Sequence, residues 1–192
     1  KNYDAGRSIQ FSAILLDLGL SSAQVSPEDE RGFSFKNRQV LDMRFGPETD
    51  LTAKEILNTW SEAELTKIFK EYGEERHSRL IAQKIIAYRK EQPINDTEQL
   101  TEIVGQIYRQ SFYKINPATK IFQALRIAVN DELGALEEGL RAAVERLSSG
   151  GHIAVISFHS LEDRIVKRYF KGLAEGELFI VITKRPIVPN EE

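Results

Sequence analysis

No cysteine occurs in the 192 residues, which excludes disulfides, thiolate metal ligands and cysteine nucleophiles and is compatible with a cytoplasmic protein. Six prolines and twelve glycines are too few for a collagen-like or low-complexity chain. No apolar run approaches the roughly 20 residues that cross a bilayer, so no membrane span is expected. The amino-terminal Lys1-Asn2-Tyr3-Asp4 lacks the apolar stretch of a signal peptide. Positive charge is not in excess either. The formal net charge is −3, so any nucleic-acid contact has to be local. The main local excess is Arg164, Lys167, Arg168, Lys171, Lys184 and Arg185 against Glu175 and Glu177, readable as a solvated face or as an RNA contact. His77, His152 and His159 are scattered, without the paired spacing of a metal site, and no metal is expected. A hydrolase built on His159 is disfavoured because no G-x-S-x-G elbow exists.

What is present is ordinary globular composition, 41% hydrophobic and 29% charged. It predicts one domain, or one domain with a large insertion. An apolar strand pattern begins only ten residues after Lys1, which predicts that further sequence precedes it.

Phe11 to Asp17 is an apolar run ending in a carboxylate and followed by Gly19. It predicts a strand buried on both faces of a parallel sheet. Leu20 to Pro47 has no sustained period, but Phe33, Phe35, Met43 and Phe45 predict an ordered loop rather than a disordered one. Helical periodicity then runs for some seventy residues. The capping pairs Thr52 with Glu55, Ser61 with Glu64 and Asp96 with Gln99 mark its starts. Helices are expected near Thr52–Asn58, Glu62–Tyr72, Glu74–Lys90 and Thr97–Gln110.

Asn116-Pro117 opens the longest expected helix. Its apolar stripe runs Phe122, Leu125, Val129, Leu133, Leu136, Leu140, Val144 and Leu147. Gly150-Gly151 is expected to end it. His152–Phe158 reads as a second strand, Leu161–Lys171 as a helix and Leu178–Thr183 as a third strand. Strands linked by helices imply a doubly wound parallel α/β sheet interrupted by an all-helical insertion.

Ligands of such sheets bind beyond the carboxyl ends of the strands. Asp17 stands at one such end: it either caps a turn through its own backbone or faces a ligand. Gly19 permits a close backbone approach there. Ser157-Phe158-His159-Ser160 stands at another; His159 is a candidate acid or base, or a structural residue, with Ser160 capping the next helix. Thr119, Gln123, Arg126 and Asn130 fall on one side of the long helix, lining a cleft or forming a solvated flank.

Seven blocks in order carry a resemblance. They are Leu15-Leu-Asp-Leu-Gly-Leu-Ser-Ser22, Glu30-Arg-Gly-Phe-Ser-Phe35, Leu41-Asp-Met-Arg44, Leu57-Asn-Thr-Trp-Ser61, Tyr72-Gly-Glu-Glu-Arg76, Pro117 to Leu133, and Ile156 to Lys167. Together they resemble the bacterial 16S ribosomal-RNA cytosine-N4 methyltransferase family (MraW/RsmH). The resemblance implies a class I, Rossmann-like methyltransferase sheet in residues 1–47 and 117–192, with a helical insertion at 48–116. It implies S-adenosylmethionine as cofactor, contacted by Asp17, Gly19 and Gln24. The implied partner is small-subunit ribosomal RNA or the assembled subunit. The family's glycine-rich cofactor loop, the acidic residue after its second strand and its basic tail are not in this sequence. The sheet is therefore expected to be incomplete at its amino-terminal half, and this chain alone to be inactive.

Methyl transfer to a cytosine amine is an in-line displacement. It needs acceptors for the amino protons and alignment of the reacting atoms, with the base taken out of its stack. Asn130, Ser157, His159 and Asp42 are the candidates for holding the amine or reading the base edge. The competing reading is a non-catalytic helical fragment that binds RNA or a protein partner.

Overall fold

The computed structural model describes residues 9–21, 24, 30–34, 37–47, 49–108, 116–177, 179–183 and 185–188. Among them are β1 (Phe11–Asp17), α1 (Ala53–Thr59), α2 (Glu62–Glu71), α3 (Ser78–Glu91), α4 (Thr97–Gly105), α5 (Ala118–Asn130), α6 (Glu132–Glu145), β2 (Leu147–Ile156) and α7 (Ser160–Glu175). The chain forms two compact units: a sheet unit of Lys1–Gly19 with Leu133–Glu192, and a helical unit of Leu20–Glu132.

In the sheet unit, β1 and β2 pair in parallel, with Ala13 opposite His152 through Asp17 opposite Ile156. The register is irregular below Ala13. There Gly150 takes φ +75°, and a Cβ on Gly151 would lie 2.8 Å from the Ser148 carbonyl oxygen. The two glycines therefore do not end a helix, as expected; α6 stops at Glu145 and they form an irregularity inside β2. Burial on both faces of β1 is also not found. Leu15 is 64% exposed and Phe11 nearly half exposed, because a parallel strand is covered only when strands flank it and helices lie on both faces. The expected third strand fails for the same reason. Residues 179–183 form no strand, Ile180 is 89% exposed, and Leu178 lies outside the described residues. A strand is defined by a ladder partner, which is lacking there among the described residues.

The helical unit holds a closed apolar core. Leu41, Met43, Ile56, Leu57, Leu65, Phe69, Ile81, Ile85, Ile94, Leu100, Ile103, Ile121 and Leu125 are buried in one cluster. The helix starts follow the predicted caps. Thr52 accepts from the Glu55 N–H, and Ser61 with Glu64 and Asp96 with Gln99 form reciprocal boxes. The third helix begins at Ser78 rather than Glu74, since the chain must turn first. A Cβ on Gly73 would lie within 2.8 Å of the Phe69 and Lys120 carbonyl oxygens, and Glu74 takes φ 46°. The buried Glu75 carboxylate closes this turn by accepting from the His77 N–H and the Tyr108 hydroxyl. Residues 109–115 lie outside the described residues.

The expected long helix is two helices. Asp131 adopts φ 47° and ψ 43°, the left-handed region that ends α5, and Asp is among the side chains that tolerate it. Arg126 donates to both carboxylate oxygens of Glu132, at 2.7 and 2.9 Å. In a continuous helix these residues would stand about 9 Å apart along the axis. The fork therefore needs the break.

Candidate functional site

The sheet unit brings together four of the expected residues at the carboxyl ends of its strands. Asp17 closes β1 opposite Ile156, and the next N–H, of Leu18, donates to the Ile156 carbonyl at 3.1 Å. Gly19 then turns the chain with φ +89°, and a Cβ there would press on the Phe158 ring at 3.2 Å. A side chain at that position would be strained and crowded at once. Asp17 is exposed, and among the described residues no hydrogen bond or ion pair engages its carboxylate. Ser157 follows β2 directly, half-buried, and its hydroxyl likewise has no partner among the described residues.

His159 is the N-cap of α7, one residue earlier than the Ser160 cap expected from sequence. Its Nδ1 accepts from the Glu162 N–H at 3.4 Å, and Glu162 Oε2 accepts from the N–H groups of Phe158 at 2.9 Å and His159 at 3.4 Å. The box has the usual i, i+3 spacing with imidazole in place of a hydroxyl. His159 Nε2 lies 3.2 Å from Glu162 Oε1, out of line for a directed hydrogen bond. Burial pushes the Glu162 carboxyl up, but the His159 side chain and the Phe158 and His159 N–H groups together hold it below its ordinary value. Glu162, 4% exposed, was not singled out from sequence. Its signal was the His-x-x-Glu spacing, masked by the neighbouring Ser-x-x-Asp of residues 160–163.

The helical unit holds the other three. Gln24 sits in a local turn, where its Oε1 accepts from the Ser21 N–H at 2.9 Å and its N–H donates to the Ser21 carbonyl. Asp42 receives a two-pronged contact from Arg44, Nε to Oδ1 at 2.7 Å and Nη2 to Oδ2 at 2.9 Å. It also accepts from the Arg44 N–H. The side-chain hydrogen bond from Arg44 is the main cause of an Asp42 pKa below the ordinary carboxylate value.

Asn130 reaches 85 residues back along the chain. Its Oδ1 accepts from the Phe45 N–H at 2.8 Å, and its Nδ2 donates to the Met43 carbonyl at 2.8 Å and the Arg126 carbonyl at 2.9 Å. One acceptor facing a donor and two donors facing acceptors fix which way the amide points. Of the other seam residues, Gln123 donates to the Tyr72 carbonyl and Arg126 pairs with Glu132. Gln123, Arg126 and Asn130 of the seam thus tie α5 to the turns beside it.

The loop that Asn130 holds is built from two sequence blocks. The Met43 N–H donates to the Arg31 carbonyl at 2.7 Å, and Arg31 Nη1 donates to the Arg44 and Phe45 carbonyls at 3.0 Å each. Gly32 takes φ +82°, and a Cβ there would stand 2.2 Å from the Val40 carbonyl oxygen. Met43 has φ 61° with its side chain buried, a strain of about 1–2 kcal/mol for a residue other than glycine. Phe33 and Phe45 lie 5.7 Å apart at 30°, with the Arg31 guanidinium 5.1 Å from the Phe33 ring centre. The predicted order of this loop is therefore found for Phe33, Met43 and Phe45; Phe35 lies outside the described residues.

The sequence profile described as the MraW methylase family matches residues 1–192. Curated proteins named ribosomal RNA small subunit methyltransferase H are similar along the chain. The protein of Synechocystis sp. is 52% identical over 188 residues, covering 97% of this chain and 60% of that protein. That of Crocosphaera subtropica is 48% identical, covering 95% and 56%. That of Neorickettsia sennetsu is 46% identical, covering 96% and 62%. The chain thus spans about three fifths of the length of these relatives.

Proposed function

The chain belongs to the MraW methylase family, and from that premise we propose that it is the larger part of an S-adenosylmethionine-dependent ribosomal-RNA methyltransferase. The reaction is methylation of the N4 amino group of a cytidine in small-subunit RNA, on naked RNA or the assembled subunit, in the cytoplasm. The fold is a class I, Rossmann-like methyltransferase sheet carrying the helical segment as an insertion. The observation that carries this reading is the Asp17 carboxylate at the carboxyl end of a parallel strand, with no partner among the described residues, where open α/β sheets take their ligands.

S-adenosylmethionine supplies an electrophilic methyl group on a sulfonium centre. The residues present fit such a ligand. Asp17 offers an acceptor for hydroxyl or amino groups, and Gly19 lets the backbone turn sharply beside it. Gln24 keeps the cofactor role that the resemblance implies for it. The four residues expected at the amine divide by their bonding. Ser157, directly after β2 at the same end of the parallel pair as Asp17, has a hydroxyl with no partner among the described residues and is kept as an acceptor for the amino protons. His159, Asp42 and Asn130 are already bonded to Glu162, Arg44 and the 43–45 backbone, and act as positioning residues.

Calorimetric titration of the intact protein with S-adenosylmethionine tests the site. Asp17→Ala is expected to weaken binding about tenfold, the scale of a hydrogen bond to a charged group, without lowering the melting temperature. Unaltered affinity removes Asp17 and the assignment built on it. Nucleoside mass spectrometry of methylated small-subunit RNA tests the chemistry: N4-methylcytidine is expected, and a methyl on a ring carbon or another base overturns that part. Because the helical unit closes its own core, a second reading is a non-catalytic module that binds RNA or a protein partner. RNA binding by an intact protein with no affinity for S-adenosylmethionine would select it.

A further inference from the structure

Phe45 is a large apolar side chain left 37% exposed on a loop whose backbone is fixed from four directions. Its N–H is bonded to Asn130, its carbonyl to Arg31, its ring lies against Phe33, and Met43 two residues earlier is held in a left-handed turn. Single exposed apolar residues are common and need no account. An exposed ring whose backbone is bonded from distant points of the sequence, two residues after a strained turn, is different: such strain persists where the surrounding structure over-determines it, and it gathers at ligand sites. The neighbours are also chemically selective. Phe33 and the Arg31 guanidinium over its ring stand beside Phe45, and aromatic rings and guanidinium planes are the surfaces on which unpaired bases stack in RNA-binding proteins, because every base has a π-face.

We propose that the exposed face of Phe45 stacks an unpaired nucleobase of the RNA substrate, with Asn130 and the Met43 turn fixing the angle of the ring. This rests on the ribosomal-RNA reading above and adds to it a base contact on the helical unit. Stacking is insensitive to the identity of the base and independent of phosphate neutralisation, and both properties can be measured.

The test uses the intact protein and a short single-stranded RNA carrying 2-aminopurine, followed by anisotropy and by quenching of the probe. Phe45→Ala and Phe45→Leu are expected to weaken binding roughly 5- to 150-fold and to abolish the quenching. Phe45→Trp is expected to restore both, and the salt dependence of affinity should keep one slope in all four proteins, since no phosphate contact is lost. Asn130→Ala should shift affinity in the same direction through a misplaced ring. Wild-type affinity and quenching in Phe45→Leu overturn the stacking, as does a changed salt slope; if that variant still methylates RNA, the enzyme reading stands without it. A wild-type protein that binds no RNA overturns both.

Discussion

Replacing Asn130 with alanine removes three hydrogen bonds from the turn around Met43 and Phe45 in the helical unit. The carbonyls of Met43 and Arg126 lose their Nδ2 donor and the Phe45 N–H loses its acceptor. A net bond is worth about 0.5–1.5 kcal/mol. The Phe45 N–H lies where water can replace the lost partner, while the two carbonyls are part-buried, so the expected cost is about 2–3 kcal/mol. Asn130→Asp should cost more, because it turns a carboxylate oxygen toward two carbonyls that now face a donor. That excess should appear as pH rises through the carboxylate range and disappear in acid. Trp60, the single tryptophan, packs against the helical core and reports this unit's urea transition by its fluorescence. If both variants unfold at the wild-type urea midpoint, the amide is not holding the loop. If Asn130→Asp is no worse than Asn130→Ala at neutral pH, the orientation assigned to the amide is wrong. In the intact enzyme, Asn130→Ala should reduce turnover with little change in cofactor affinity; unchanged turnover removes Asn130 from the working site.

Two further outcomes follow from the geometry. Glu162 has a folded-state pKa below its unfolded value, so it contributes stability above the unfolded pKa that is lost as pH falls through the folded one. Glu162→Gln should therefore flatten the acid limb of the sheet unit's stability profile, and an unchanged limb by circular dichroism would count against the His159–Glu162 cap. Gly32→Ala puts a Cβ 2.2 Å from the Val40 carbonyl oxygen at φ +82°; it should cost more than about 2 kcal/mol in the Trp60-detected urea transition, and a neutral result would mean that the two loops are not locked together.

Local rules sufficed where the deciding partners lie within a turn. Thr52, Ser61 and Asp96 could be identified as caps because each meets its partner three residues on. The strand from Phe11 to Asp17 was legible from its composition, and the placement of Asp17 at a strand end followed from the run stopping there. His159 was legible as a residue of interest at a strand end, but its cap contact with Glu162 was hidden by the neighbouring Ser160.

Tertiary structure decided everything that depends on a distant partner. Whether an apolar stripe is one helix or two is not written in its period. Phe122 to Leu147 keeps its spacing across Asp131, and the break is fixed by a backbone angle and by the Arg126–Glu132 fork. Whether an apolar run is a strand depends on a neighbour with free backbone groups, which β1 finds in β2 and residues 179–183 do not find among the described residues. That Asn130 holds a loop is not written in its amide. Its partners, Met43 and Phe45, stand more than eighty residues away, and a hydrogen bond over that separation exists only once the chain has folded.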